Sequence, residues 1–253
     1  MIRALAVAAA LAFLTAPAGA ERLASSVSRT EVAITSNFSG ETLTFFGNVE
    51  PDTGATNRVV EGPYHIIIVV TGPLQNRVAR KKSNVFGLWV NTKQIVFESF
   101  PAYYQVLSDA RIADITDQVT LTALGIDPVR QARTAARSGW WDSIVYGEEL
   151  VRLMTEEGLF GVNEQGVVFR SDTLYSAQIN LESSAPPGPY LAHTYLFKDG
   201  RIVAEKAERF TVRKMGFERF LGLAAVQQPL LYGIAAVILA LFTGWLGGVV
   251  FRR

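Results

Sequence analysis

An uncharged run near the end of the chain constrains everything that precedes it. From Pro229 to Phe251 the sequence reads PLLYGIAAVILALFTGWLGGVVF, and Arg252-Arg253 follows. Roughly twenty apolar residues in a helix cross a hydrocarbon core of ~30 Å. Tyr232 supplies an interfacial aromatic near one end, and the two arginines supply a charged stop at the other. We read 229–251 as a transmembrane helix. A buried helix in a soluble core is the alternative for the same pattern. Whatever lies before the span is then a domain that the span holds at a membrane.

The amino terminus carries the second signal. Met1-Ile2-Arg3 is a short positive region, 4–16 is apolar and Ala-rich, and Ala18-Gly19-Ala20 has the small-x-small form of a cleavage site. This predicts a signal peptide over 1–20; a first membrane helix is the rival reading. In both cases Arg3 holds the start inside and the following domain is translocated. The span then returns the chain, leaving 252–253 in the cytoplasm. Arg213, Lys214 and Arg219 flank the other end, so loop charge alone leaves the orientation undecided. The expected arrangement is a single crossing of the membrane, with the bulk of the chain on its outer side.

Between the two ends, about 200 residues remain, enough for one large domain or two small ones. The mean hydropathy of +0.21 is high for a soluble chain, and the excess sits at the ends. A net charge of +1 gives no bulk attraction to polyanions, so no nucleic-acid partner is expected. The chain has no cysteine, which excludes disulfides, thiolate metal sites and cysteine nucleophiles.

Residues 21–212 read as a β-rich exported domain. Val32, Ile34 and Phe38 alternate, and 37–40 is a turn. A strand over 42–46 ends at Gly47, and 51–54 is a loop. Residues 64–70, YHIIIVV, form an unbroken β-branched run closed by Gly72-Pro73, the pattern of a strand buried on both faces. Strands at 86–90 and 95–97 are expected around a tight turn at Asn91-Thr92. The segment 109–158 is helical. Ile112, Ile115 and Val119 share a spacing, Asp127-Pro128 starts a helix running to Gly139, and Asp142 caps another closed by Gly158. Strands return at 167–169, 173–181, 190–197 and 202–212, with a hairpin turn at 198–200. SAPPGPY at 184–190 matches the loop before a late strand of many immunoglobulin-like domains. The expected fold is mainly β with a helical insertion: an immunoglobulin-like β-sandwich exported domain plus one C-terminal transmembrane helix.

Residues 213–228 read as a juxtamembrane amphipathic helix, with Met215, Phe217, Phe220, Leu221 and Ala224 apolar and Arg213, Lys214, Glu218 and Arg219 charged. Phe217, Arg219 and Phe220, with Tyr232, are the candidate membrane-interface residues. The same apolar face also fits packing on the domain. Inside the span, Ala236, Ala240, Gly244 and Gly248 recur every four residues and make a smooth stripe that another helix can approach closely. Another membrane protein or a second copy of the chain is the expected partner there, and membrane lipid surrounds it.

Several segments carry a family resemblance. They are Val78-Ala-Arg-Lys-Lys82, Gly87-Leu-Trp-Val-Asn91, Val96-Phe97, Pro101-Ala-Tyr-Tyr104, Lys214-Met-Gly-Phe-Glu-Arg-Phe220, Leu231-Tyr-Gly233, Gly244-Trp245 and Phe251-Arg-Arg253. Together they resemble the putative transmembrane protein family of alphaproteobacteria, over essentially the whole mature chain. The resemblance implies a bacterial inner-membrane setting and an exported domain. It transfers no activity and no catalytic residue.

Enzyme chemistry finds little support in these residues. His65 and His193 are the only histidines, and neither has a ligand at metal spacing. There is no Gly-x-Ser-x-Gly elbow and no phosphate-binding loop. The adjacent pairs Glu148-Glu149 and Glu156-Glu157 point different ways on a helix and read as a solvated face. No cofactor is expected. Two surface constellations remain. Arg80, Lys81 and Lys82 precede Trp89 and Asn91, with Tyr103 and Tyr104 behind, residue types that anchor interfaces. The same residues also fit a solvated edge strand beside a core tryptophan. Arg130, Arg133 and Arg137 share a helical face before Trp140-Trp141, fit for anionic headgroups or an acidic partner, or for plain solvation.

The favoured reading is a non-enzymatic, membrane-anchored binding or accessory protein of a membrane transporter or envelope complex. An extracytoplasmic ligand sensor is weaker, because a two-residue tail cannot signal alone. An envelope hydrolase needs a pocket that joins His65 or His193 to carboxylates.

Overall fold

The computed structural model describes residues 21–34, 40–51, 60, 62–214 and 217–250. The expected signal peptide, the turn residues 37–39, the loop residues 52–54, Met215 and Arg252-Arg253 lie outside the described residues. The chain divides into two compact units: Met1–Val32 with Ser39–Val212, and Ala33–Phe38 with Arg213–Arg253.

The first unit is mainly β. Strands β1 (Glu21–Val27), β3 (Glu41–Pro51), β9 (Val167–Phe169) and β10 (Leu174–Leu181) form a four-stranded sheet in the order β1-β3-β10-β9. Strands β2 (Glu31–Ile34), β4 (His65–Thr71), β7 (Tyr104–Ser108), β8 (Phe160–Asn163), β11 (Gly188–Lys198) and β12 (Arg201–Lys214) form a six-stranded sheet, β2-β12-β11-β4-β7-β8. The buried faces of the two sheets meet. Phe45 of β3 lies 6.1 Å, ring to ring, from Phe210 of β12, and Tyr190 stacks on Phe210 at 5.0 Å. Near the start of β11 the Tyr190 hydroxyl turns back and donates to the Pro186 carbonyl, four residues upstream, at 2.8 Å.

The strongest expected strand is present as read. Ile66 through Val70 are all buried, so β4 is covered on both faces. Gly47, by contrast, does not end its strand. β3 runs on to Pro51, and a Cβ at Gly47 would sit 2.3 Å from the Ala24 carbonyl oxygen. The glycine lets β1 and the Tyr175 ring close on β3. The turn between β11 and β12 is where it was expected, with Asp199 and Gly200 both at positive φ.

Four helices, α1 (Ile112–Ile115), α2 (Gln118–Ala123), α3 (Pro128–Ala135) and α4 (Trp140–Glu156), lie between β7 and β8. The single helix expected over 112–119 is two, because Thr116 is extended and its hydroxyl donates to the Gly200 carbonyl at 2.7 Å. Asp117 then caps α2, accepting from the Thr120 amide. Asp127 caps α3 as expected, with Pro128 in the first turn. That helix stops at Ala135 and not at Gly139: Ala136 pairs with Phe97, and the Arg137 amide donates to the Val96 carbonyl at 2.8 Å. Gly139, not Asp142, occupies the cap position of α4. Gly158, at φ 70°, follows the end of that helix as expected.

Two strands belong to neither sheet. β5 (Leu74–Val85) and β6 (Leu88–Pro101) pair only with each other, as an antiparallel ribbon. Its turn is at Phe86-Gly87, and the expected turn at Asn91-Thr92 lies inside β6. The Asn-Thr pair there opposes a register shift at Lys81/Lys82, which is a bulge and not a reversal.

In the second unit, α5 (Phe217–Gln227) and α6 (Pro229–Val250) follow one another. The expected amphipathic helix begins later than 213, since β12 continues through Lys214. α6 is the apolar run, and none of its most apolar window is buried. A buried helix of a soluble core does not fit that exposure.

Candidate functional site: a basic and aromatic ribbon

The ribbon is the outer half of a long hairpin. β4 leads into β5 through Gly72-Pro73, and β6 leads into β7 through Ala102-Tyr103. The ladder is continuous across this joint, where Gly72 donates to the Tyr103 carbonyl at 2.8 Å and Ala102 to the Pro73 carbonyl at 2.9 Å. The root is anchored by Ile95 and Phe97, both buried. Phe97 continues an aromatic chain through Phe100, at 6.0 Å, to Phe160, a further 5.4 Å away. Lys93 donates to Asp142 of α4 at 2.6 Å, which raises the lysine's pKa.

Beyond the Ala79–Ile95 pair nothing is buried. Residues 80–94 are exposed throughout except Ser83, which is half-buried. From Arg80 to Val85 the ribbon extends about 17 Å at the ~3.3 Å rise of a strand. Its turn has two residues, Phe86 at φ 53° and Gly87 at φ 84°, both in the left-handed region. Asn84 braces it by accepting from the Gly87 amide at 2.8 Å. Asparagine or glycine fits the first of these positions with little strain, whereas phenylalanine costs about 1–2 kcal/mol. The Phe86 ring is fully exposed, at 103%. Leu88 and Trp89 beside it are 69% and 70% exposed.

Charge separates the ribbon from the rest of the unit. Residues 74–97 contain Arg77, Arg80, Lys81, Lys82 and Lys93 and no Asp or Glu. Lys81 and Lys93 lie directly opposite each other, an unfavourable like-charge pairing. Asp142 neutralises Lys93. Arg80, Lys81 and Lys82 make no ion pair among the described residues. By strand alternation Lys82, Asn84, Trp89 and Asn91 share one face, and Val85, Leu88 and Val90 share the other.

Of the expected recognition face, the structure thus brings together Arg80, Lys81, Lys82, Trp89 and Asn91. Trp89 is not a core residue. Tyr103 and Tyr104 do not belong to the face. Both are buried where the hairpin enters the sheet, and burial pushes both phenols well above their ordinary range. Tyr104 donates to the Gly125 carbonyl at 2.7 Å, and Tyr103 packs edge-on against Tyr190. Phe86 and Leu88 were missing from the expected set. The acid-free stretch 74–97 and the Phe-Gly pair were the signals available for them.

The second constellation is spent on the fold. Arg130 donates to the Thr122 hydroxyl at 2.8 Å, Arg133 pairs with Glu148 at 2.5 Å, and Arg137 pairs with Glu98 at 2.6 Å. Trp141 is exposed, and the side chain of Trp140 lies outside the described residues.

The fold does bring carboxylates to both histidines. His65 Nδ1 lies 2.8 Å from Asp109, whose other oxygen accepts from the Ile66 amide at 2.6 Å. His193 lies 3.7 Å from Glu205 and bonds the Tyr195 hydroxyl. A cavity of about 500 Å³ beside His65 is lined by Asp114, Thr116, Asp117 and Asp199. Its hydroxyl, Thr116, is committed to Gly200, and Asp117 is committed to its helix cap. Among the described residues no three His, Asp or Glu side chains are grouped to hold a metal ion.

In the second unit, a Cβ added at Gly244 or Gly248 would meet nothing within 4 Å, so this half of the small-residue stripe is open. Ala236 lines an apolar groove with Leu221, Ala224, Leu231, Tyr232 and Leu239. Tyr232 is partly exposed. The side chains of Phe217, Arg219 and Phe220 lie outside what the structure describes. Among the described residues, Pro229–Val249 is the one helix long and apolar enough to cross a membrane, with mean hydropathy 2.0.

The model of the family described as Putative transmembrane protein (Alph_Pro_TM) matches residues 22–253. The chain belongs to this family. In this Alph_Pro_TM protein the matched stretch takes in both sheets, the ribbon and the apolar helix. No curated protein matches the chain.

Proposed function

We propose that this Alph_Pro_TM protein crosses the bacterial inner membrane once and displays its β domain in the periplasm. There it acts as a non-enzymatic binding or accessory subunit of a membrane transporter or envelope complex. The observation that carries the reading is the open face of small residues on the apolar helix, where a Cβ added at Gly244 or Gly248 would meet nothing within 4 Å. The positive start, the apolar run and the small-x-small site at 18–20 support export, and Arg252-Arg253 support a cytoplasmic end.

The immunoglobulin-like reading of the domain belongs to the same proposal. The order β1-β3-β10-β9 follows, in chain sequence, the ABED sheet of such sandwiches, and β12-β11-β4 follows the GFC sheet, to which β2, β7 and β8 are added. The Tyr190 bond to Pro186 has the form of a tyrosine corner. Such a scaffold hosts many unrelated functions and assigns no activity by itself.

The partner contact within the bilayer is the open stripe Ala240, Gly244 and Gly248, continued by Ala236. The test is a photoreactive residue placed at Gly244 of the full chain in native membranes. A discrete adduct with a different membrane protein is the expected result. Adducts with itself alone, or with none, overturn the accessory-subunit reading.

A hydrolase is the second reading, favoured only by the His65–Asp109 pair beside its cavity. Asp109 is also bound to the β4 backbone, so the pair reads as a clamp on the start of that strand.

A further inference from the structure

We propose that the β5–β6 ribbon inserts its tip, Phe86 to Trp89, into the headgroup layer of a bilayer carrying anionic phospholipids. Arg80, Lys81 and Lys82 bind the lipid phosphates behind it. The proposal rests on the membrane setting of the family and not on the accessory-subunit reading.

Three observations select a lipid surface as the occupant. First, the apolar group is convex. Phe86 is fully exposed at the end of a two-residue turn, with Val85, Leu88, Trp89 and Val90 around it. A protruding point of this kind suits a deformable surface, and the indole suits the headgroup level, where tryptophan concentrates. Second, the cations follow the apolar residues along the ribbon axis. Val85 and Leu88 form the last pair before the turn, and Lys82, Lys81 and Arg80 stand three to five residues behind Val85. At strand rise that places them about 10–17 Å behind the last pair. When the tip sits 5–10 Å deep, at the boundary between headgroups and acyl chains, these cations lie at the phosphate layer. Third, the stretch 74–97 holds five cations and no acid, and of those cations only Lys93 makes an ion pair among the described residues. A protein interface depletes lysine at its core. An anionic bilayer rewards each cation near its surface.

The strained turn fits the same account. A phenylalanine held at φ 53° contributes nothing to the core, so its ring is present for what lies outside the domain. The ribbon springs from the end of the six-stranded sheet at which β11 begins. Val212, near the end of β12, opposes Gly188, and Gly188 lies against Pro73 at the ribbon's root.

The chain has no cysteine, so Phe86→Cys in the full-length protein accepts a single environment-sensitive fluorophore. Asp172→Cys, in an exposed turn of the same unit, is the reference position. Each labelled protein is purified and reconstituted without other proteins into phosphatidylcholine vesicles, with or without phosphatidylglycerol. Nitroxide-bearing lipid serves as the quencher. The label at 86 is expected to shift to shorter wavelength and to be quenched by nitroxide lipid when phosphatidylglycerol is present. The label at 172 is expected to stay in water. Changing Arg80, Lys81 and Lys82 together to Gln should weaken insertion by about five-fold for each cation removed. A label at 86 that remains in water overturns the proposal. So does one that shifts without lipid quenching, since that marks burial against protein. Because no second protein is present, this result and the crosslinking result at Gly244 succeed or fail separately.

Discussion

One hairpin has two halves with opposite relations to water. In the inner half, β4 and β7, Ile66 to Val70 are buried, and so are Tyr104, Val106 and Leu107. In the outer half, residues 80–94 are exposed, including Phe86, Leu88 and Trp89. The same antiparallel ladder runs through both, joined at Gly72-Pro73 and Ala102-Tyr103. The inner half is held by the apolar area it buries. The outer half is held by backbone bonds, a braced turn and its own cross-strand pairs. Inner residues are therefore constrained by packing. Outer residues answer to little in the fold, and their composition reports what the ribbon touches.

This contrast breaks if the two halves respond alike to truncation. Ile68→Ala, which empties a site closed on all sides, should cost about 2–5 kcal/mol. Trp89→Ala should change stability by no more than about 0.5 kcal/mol. Denaturant unfolding of the full chain in detergent measures both, and a Trp89→Ala loss near that of Ile68→Ala would refute the division. Gly72→Ala probes the joint itself. Its Cβ would lie 2.7 Å from the Tyr103 Cβ, and overpacking of that kind should cost about 1–3 kcal/mol. Tyr190→Phe removes the donor to Pro186 while leaving the ring stack on Phe210. A loss of about 1 kcal/mol is expected, read as a lower unfolding midpoint.

The sharpest contrast is smaller and of opposite sign. Phe86→Asn relieves a left-handed phenylalanine, so stability should rise by up to about 1 kcal/mol. Lipid insertion of the ribbon should fall in the same variant. A variant that loses stability and keeps insertion would sink the assignment of Phe86 to contact.

Alkaline titration distinguishes the halves by a different route. Burial raises the pKa of Tyr103, Tyr104, Tyr175 and Tyr190 above the ordinary 10.0. A phenol with a raised folded pKa contributes stability that is complete below its unfolded pKa and is lost as the pH rises through the folded one. The core that holds the inner half, and not the tyrosine-free outer half, should therefore loosen above about pH 10. Near-ultraviolet circular dichroism and tyrosinate absorbance follow this; phenols that ionise near pH 10 with the fold retained would show that these hydroxyls reach water.

The core strand was legible because its signal is local. An unbroken β-branched run needs no knowledge of its partners to be read as buried on both faces. The ribbon was read with the wrong turn, since Asn91-Thr92 resembles a reversal and Phe86-Gly87 does not. Only the pairing of Val85 with Leu88 decides between them. Trp89 and Tyr104 show the limit most plainly. Both are large aromatics in a basic and aromatic stretch, yet one is 70% exposed and the other fully buried. The joint at Gly72-Pro73 separates them, and what covers each residue comes from distant segments. Gly125 accepts the Tyr104 hydroxyl, and Phe160 packs on the Tyr104 ring at 5.7 Å.

By itself, the sequence determined that this protein is β-rich, carries a helical segment and ends in an apolar helix long enough to cross a bilayer. Each of these follows from periodicity or run length, which are properties of neighbouring residues. The tertiary structure alone decided which cations are engaged and which are exposed. Arg133 and Arg137 meet Glu148 and Glu98 across the fold, while Arg80, Lys81 and Lys82 extend past the last buried pair. Ion pairing depends on distances between segments far apart in the chain, and no local pattern encodes those distances.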